Sequence, residues 1–260
     1  MRRLALTAAL LSVAAPAAAQ PPAGVQRPSN EAALSQLQLG AALYAGNCSS
    51  CHGVDGRGIQ NAGQSNGSQD VRGLGPAVRG TGAQAPDFYL RTGYMPLGQP
   101  GEQPERSRPL FRDNEIRAMV AYIASLGGGP AIPSPQPQRG NLHEGMRLFA
   151  SHCSGCHQIA ARGGVVTGAR VPPLQAATPV QIAEAVRIGP YLMPKFSERE
   201  ITPKELDSIV RYVGFVRHPP DRGGWGIGNV GPVPEGLVTW LLAAAVLLAT
   251  CMAIGRRLER

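Results

Sequence analysis

The sequence predicts a mainly α protein, built as two tandem helical domains of one kind and a C-terminal transmembrane helix. Three observations carry this. Cys48-Ser49-Ser50-Cys51-His52 recurs as Cys153-Ser154-Gly155-Cys156-His157. The flanks recur with it: Ala42 to Cys48 aligns with Arg147 to Cys153, each with an aromatic residue four positions before the first cysteine, which gives an internal repeat of about 105 residues. Finally, Leu237 to Ile254 is a run of 18 residues without a charge, followed by Arg256, Arg257 and Arg260.

The elements follow in chain order. Met1-Arg2-Arg3, an apolar run from Leu4 to Ala15 and Ala17-Ala18-Ala19 before Gln20 predict a secretory signal peptide over 1–19. Pro16 leaves the apolar run short of the roughly 20 residues a membrane span needs, which argues against a retained anchor. A short linker, 20–30, leads into the first domain, 31–126. Glu31 to Tyr44 has helix-compatible composition and runs into the first Cys-x-x-Cys-His unit. Gly53 to Gly82 is rich in Gly, Asn, Gln and Ser and predicts loop rather than sheet. Asp113 to Leu126 closes the domain as a helix, with Ile116, Met119, Val120 and Ile123 on one face.

Four prolines after Gly127-Gly128-Gly129 make 127–139 a semi-extended linker. The second domain, 140–218, opens with a helix over Leu142 to Phe149 and ends with one over Thr202 to Val216, whose apolar face is Leu206, Ile209, Val210 and Val213. Thr202-Pro203-Lys204-Glu205 is a helix start: a threonine cap, proline at the first helical position and a glutamate to reach back. No alternating strand is expected anywhere. A Gly/Pro-rich connector, 219–236, leads to the membrane helix, 237–255, and a tail, 256–260. A buried soluble helix would show a polar stripe, and this run offers only Thr239 and Thr250. With Trp240 at one interface and arginines at the other, the positive-inside tendency puts the tail in the cytoplasm and both domains on the extracytoplasmic side of the cell membrane.

A formal charge of +8 invites a nucleic-acid reading, but setting the leader and tail aside leaves 20 basic against 16 acidic residues, scattered rather than clustered. No nucleic-acid partner is expected. The only lysines are Lys195 and Lys204, so the chain lacks a dense lysine ring for docking a mobile partner.

The repeated pentapeptide carries the chemistry. Two thiols at i and i+3 on one turn can each add to a vinyl group of a haem, and the next histidine then faces the iron. Two covalently bound c-type haems are expected, on Cys48, Cys51 and His52 and on Cys153, Cys156 and His157. The domains are then tandem cytochrome c domains. Zinc or redox dithiol chemistry needs no histidine after each pair, and 101 residues between the pairs exceed ribbon spacing. Cys251, the fifth cysteine, is a small apolar residue of the membrane helix.

The sixth ligand decides the class, because an open iron suits oxygen or peroxide chemistry and a second protein ligand favours electron transfer. Of six methionines only Met95 and Met193 precede a proline, at 43 and 36 residues after the respective histidines. A following proline fixes extended backbone and removes a competing donor. The expected iron ligands are therefore His52 with Met95 and His157 with Met193. Met119 and Met146 are read as core filling and Met252 as part of the span. His152 is too close to Cys153 to reach the opposite face, and His143 and His218 have no counterpart in the first repeat. Carbonyls of Gly75-Pro76 and of Pro172-Pro173-Leu174 are placed to orient the histidines.

Tandem CxxCH units, the Met95-Pro96 and Met193-Pro194 segments, and Gly231-Pro232-Val233-Pro234-Glu235-Gly236 before the membrane helix together resemble one family. It is the dihaem cytochrome c (cytochrome cc) subunit of actinobacterial quinol:cytochrome c reductase, the bc complex that joins a terminal oxidase. The likeness spans essentially the whole mature chain. It implies a translocase subunit, anchored in membrane lipid, whose first haem is supplied by the Rieske iron-sulfur subunit after menaquinol oxidation by cytochrome b. The second haem then serves the copper centre of cytochrome c oxidase. The Gly56 to Asp70 loop is longer than the family's usual connection, which bears on docking at the first haem. A free-standing membrane-anchored carrier and a dihaem peroxidase are the other classes, and paired Met-Pro segments argue against the open iron of the latter.

Overall fold

A computed structural model describes residues 24–59, 75–98, 101–219 and 232–258. The signal peptide, most of the Gly56 to Asp70 loop and most of the connector before the last helix lie outside the described residues.

The first repeat begins with a 3-10 turn, Glu31–Ala33, and the helix proper is α1, Gln36–Asn47. The expected helix from Glu31 is interrupted because Ser35 caps α1: its hydroxyl accepts from the Gln38 N–H while the Gln38 amide accepts from the Ser35 N–H. A single turn, α2 (Ser49–His52), carries the first motif, followed by α3 (Gln84–Arg91) and α4 (Asp113–Ser125). The second repeat gives α5 (Leu142–His152), α6 (Ser154–His157), α7 (Pro179–Ile188) and α8 (Pro203–Arg217), with Thr202 and Glu205 forming the expected capping box. Contrary to the expectation of no strands, β1 (Gly164–Val166) and β2 (Ala169–Val171) form an antiparallel hairpin, Val165 opposite Arg170. Three residues per strand are too few to display a period of two.

In both repeats the first helix packs on the last, α1 on α4 and α5 on α8. Both crossings are built on glycine. A Cβ on Gly40 would overlap the Ala118 carbonyl, and one on Gly145 the Ser208 carbonyl, far inside the 3.0 Å that real Cβ atoms keep. These glycines hold the same place, each eight residues before the first cysteine of its motif. Leu39, Leu43, Ile116 and Met119 fill the first core, and Leu148, Phe149, Ile209 and Val213 the second. Met119 is fully buried as expected. Met146 is not: it is 51% exposed, because α5 turns Gly145, Leu148 and Phe149 inward.

At the start of α4, Glu115 is fully buried. Burial pushes its carboxyl up, but bonds from Arg27 (2.5 Å), the Arg112 guanidinium (2.8 Å) and the Arg112 N–H (2.6 Å) outweigh that and hold it at about 2. The bond from Arg27 to Glu115 and the ion pair of Arg112 with Glu31 tie the segment before α1 to α4.

The segment 127–139 is extended, yet it is docked rather than free. The Pro130 carbonyl accepts from the Ala83 and Gln84 N–H groups, Gln136 N–H donates to Asp207 (2.6 Å), and a 3-10 turn at Pro137–Arg139 packs on α8. The repeats also touch directly, α3 against α7.

At that contact Asp87 is 5% exposed and Glu184 fully buried, and the Glu184 carboxyl oxygens have no hydrogen-bond partner among the described residues. Burial, with Asp87 beside it, raises Glu184 to about 8 against the opposing pull of Arg91, which itself donates to Asp87 (2.8 Å). A buried carboxyl with no hydrogen-bond partner, beside a second carboxyl, is favoured in its protonated form. The native chain therefore holds a proton that the unfolded chain releases above about pH 4.5, so stability falls as pH rises from there to about 8. Glu184→Gln is expected to be near neutral at pH 5 and to stabilise the holoprotein by about 2 kcal/mol at pH 8.5. Thermal unfolding of both proteins across that range checks it, and parallel pH curves would refute the assignment.

The last helix, α9 (Pro232–Leu258), begins five residues before the expected membrane segment. Gly236–Arg257 is 22 residues long, and its most apolar 18 residues have a mean hydropathy of 2.4 and are not buried within the chain, which makes it a candidate membrane span.

Candidate functional site

The two pentapeptides fold identically. Cys48 has φ −123° and ψ −33°, Cys153 φ −121° and ψ −37°, and each begins a single helical turn. Its carbonyl accepts from the second cysteine (3.1 and 3.2 Å) and from the histidine (2.9 Å in each). That turn puts the two thiols and the imidazole at adjacent positions of one tight loop. The chain then reverses through a residue of positive φ, Gly53 (77°) in one repeat and Gln158 (60°) in the other. The histidine carbonyl next accepts from Gly58 (2.8 Å) or Gly163 (3.0 Å). Glycine is required at Gly163, where φ is 76° and a Cβ would overlap the Val171 carbonyl.

Both histidines are fixed through one nitrogen, as the sequence led us to expect. His52 Nδ1 lies 2.7 Å from the Pro76 carbonyl and His157 Nδ1 lies 3.2 Å from that of Pro172. A carbonyl only accepts, so Nδ1 carries the proton and the lone pair of Nε2 is left for a ligand. Burial lowers both imidazole pKa values, against the opposing pull of the same carbonyl bonds, and so favours the neutral ring. Burial also pushes the Cys48 and Cys153 thiols up to about 12. The turns are backed by phenols: Tyr44 donates to the Gly53 carbonyl (2.7 Å) and Tyr212 to that of Ile159 (2.9 Å). Tyr44 is the repeated aromatic residue four before Cys48, whereas no sequence pattern points to Tyr212. Between histidine and proline carbonyl the first repeat uses 24 positions and the second 15, so its loop is the longer one.

Cys153, Cys156, His157 and Met193 all line one cleft of the second repeat, with apolar walls that include Leu174, Ile182, Val186, Phe196 and Val213. Cys153 and His157 are buried, Met193 is half-buried against the second core and Cys156 is exposed. In the first repeat Cys48, Cys51, His52 and Met95 are all half-buried, and Met95 packs against the first core. The two cysteine pairs do not converge: among the described residues no three His, Cys, Asp or Glu side chains form a group that could hold a metal ion, which removes the shared thiolate zinc site. His143 and His218 are exposed and away from the cleft. His152 stands at the cleft's edge, its ring on that of Phe196 at 5.8 Å.

The residues fit a covalently attached haem. Two thiols, an imidazole with a free Nε2 and a thioether line one cleft whose other walls are largely apolar. Five residues of the cleft wall come from the other repeat: Phe88, Tyr94, Gln103, Pro104 and Arg106. Nothing in the sequence pattern indicated that the second site borrows from the first domain.

Residues 37–127 match the family model described as Cytochrome c, and residues 140–213 the one described as Cytochrome C oxidase, cbb3-type, subunit III. The chain is 32% identical over 239 residues to the cytochrome bc1 complex cytochrome c subunit of Corynebacterium diphtheriae, which covers 85% of this chain and 81% of that one. The subunit of the same description from Mycobacterium tuberculosis is 32% identical over 238 residues, 88% of this chain and 81% of that one. Cbb3-type cytochrome c oxidase subunit CcoP of Rhodobacter capsulatus is 30% identical over 109 residues, 40% of this chain and 32% of that one.

Proposed function

We propose, from the premise that this chain belongs to the family of cytochrome bc1 complex cytochrome c subunits, that it is the membrane-anchored electron relay of a quinol:cytochrome c reductase. It carries electrons from the Rieske iron-sulfur centre of that complex, beside cytochrome b, to a terminal cytochrome c oxidase. The observation that carries this reading is the duplicated site: the same turn, the same Nδ1 tether and a methionine on the core side, in two repeats of one chain.

When bound, each haem supplies a one-electron iron couple. Cys48 and Cys51 hold the first through thioether bonds, and Cys153 and Cys156 the second. His52 and His157 offer Nε2 to the iron, held in place by Pro76 and Pro172. Met95 and Met193 would supply a second protein ligand to each iron, which would close the site to oxygen and peroxide and raise the potential. Leu174, Ile182 and Val186 keep water from the second site. The span Gly236–Arg257 tethers both domains on the extracytoplasmic face, with Arg256 and Arg257 at the cytoplasmic end. Tethering supplies a high effective concentration of partner, which suits a chain with two lysines.

Affinity purification of the tagged full chain from membranes in mild detergent tests the assignment. Cytochrome b and a Rieske subunit are expected to co-purify with it. A chain loaded with two haems but free of both subunits would contradict the reductase reading in favour of a free-standing carrier.

A further inference from the structure

We propose that Arg106, in the first repeat, binds the anionic carboxylates of the haem held by the second repeat. This rests on the reading above, that the second cleft carries a haem.

The segment Gln103 to Arg106 is fastened to the second repeat although it belongs to the first. The Gln103 side chain makes both amide bonds to the Arg170 backbone, donating to its carbonyl (2.7 Å) and accepting from its N–H (3.0 Å). It thereby extends β2 sideways as a neighbouring strand would. Arg106 follows with its Nη2 group, which donates to the Ala176 carbonyl (3.0 Å) and to Gln181 Oε1 (2.8 Å). The segment is placed at the wall of the cleft by four hydrogen bonds, none of them to its own domain.

Arg106 and Arg170 are the two guanidinium groups that line this cleft. Arg170 has a carboxylate near it, Glu105 at 3.8 Å, whereas Arg106 has no ion-pair partner among the described residues. Both bonds of Arg106 leave from Nη2, so its Nε and Nη1 hydrogens remain for another acceptor. The side chain is exposed at the rim rather than sunk in the apolar depth. A haem is apolar except for its two propionate groups, so the group that fits this cleft brings carboxylates and places them at a polar edge. An unpaired guanidinium at the rim of an otherwise apolar cleft supplies the matching charge. The first domain thus sets the electrostatics of the second site.

A fixed positive charge near the haem disfavours the oxidised iron, so its removal lowers the potential. The test is a spectroelectrochemical titration of the purified full chain in detergent, for the native protein, Arg106→Gln and Arg106→Lys, with haem content measured for each. Met193→Ala identifies the second component as the one it displaces. We expect Arg106→Gln to shift the second component about tenfold toward the oxidised form, about 59 mV for one electron, with the first component within threefold of native. Arg106→Lys, which keeps the charge, is expected to stay within threefold for both. An unmoved second component in Arg106→Gln overturns the proposal, and so does a Lys variant that falls as far as Gln, since that would reflect the loss of the Ala176 and Gln181 bonds alone. If Arg106→Gln fails to accumulate with two haems, the equally uncharged Arg106→Met takes its place and decides by the same criterion. If Met193→Ala displaces neither component, the ligand assignment fails, and this outcome is separate from any Arg106 result.

Discussion

Gly145→Ala is expected to destabilise the second repeat by about 3 kcal/mol, and Gly145→Val to prevent its haem-loaded form from accumulating. The reason is backbone contact. α5 crosses α8 so closely that any Cβ at this position overlaps the Ser208 carbonyl, and a carbonyl in a helix cannot rotate away as a side-chain tip can. The helices must separate instead. Separation opens the core around Leu148, Phe149, Ile209 and Val213 and carries the motif at the end of α5 away from its carbonyl partners. The unfolding midpoint of the second repeat should drop by at least 10 °C, on the order of that free energy divided by the unfolding entropy of a domain this size. Gly214→Ala is the control, since a Cβ there meets nothing within 4 Å and a helical alanine is favoured over glycine. Gly40→Ala is expected to do to the first repeat what Gly145→Ala does to the second, by overlap with the Ala118 carbonyl.

The second large effect concerns attachment. The double variant Cys153→Ala, Cys156→Ala is expected to leave one covalently bound haem per chain instead of two, read by haem content after acid-acetone extraction. Loss at this site also removes the filler of an apolar cleft whose walls include Ile182, Val186, Phe196 and Val213. Buried apolar surface returned to water costs about 25 cal/mol per Å², so the second repeat should lose several kcal/mol and become protease-sensitive. Cys48→Ala with Cys51→Ala should spare the second haem. Retention of two covalent haems in either double variant would show that the repeated pentapeptides are not the attachment points.

Much of this was legible in the chain because the repeat states it twice. The pentapeptides, the helix that leads into each, the closing helix with its Thr202 and Glu205 cap, and the proline carbonyls that hold His52 and His157 were all expected from the residues. Other parts were hidden for physical reasons. The α3 helix has no side-chain cap and starts beside Pro86, so its eight residues resemble loop. In contrast α7 carries Thr178-Pro179-Val180-Gln181, the same start signal that identified α8, and the same rule finds it. The crossing glycines lie two residues before the stretch over which the repeats were aligned, and extending that alignment exposes Gly40 and Gly145 as one position. Met146 shares the helical spacing of its apolar neighbours, but one step along a helix turns a side chain by about 100°, enough to leave it in water. The wall that the first repeat lends to the second cleft depends on how α3 meets α7, and no local pattern encodes that contact.

The central claim is that each haem iron is closed by a methionine opposite its histidine. It is tested most directly by the ferric absorption band at the red end of the spectrum that marks a bond from methionine sulfur to iron, scaled to haem content. The account predicts an intensity equal to two such bonds per chain, half of it lost in Met95→Ala and the other half in Met193→Ala. An intensity of one bond or none in the native protein, or a band that survives either substitution undiminished, would contradict it.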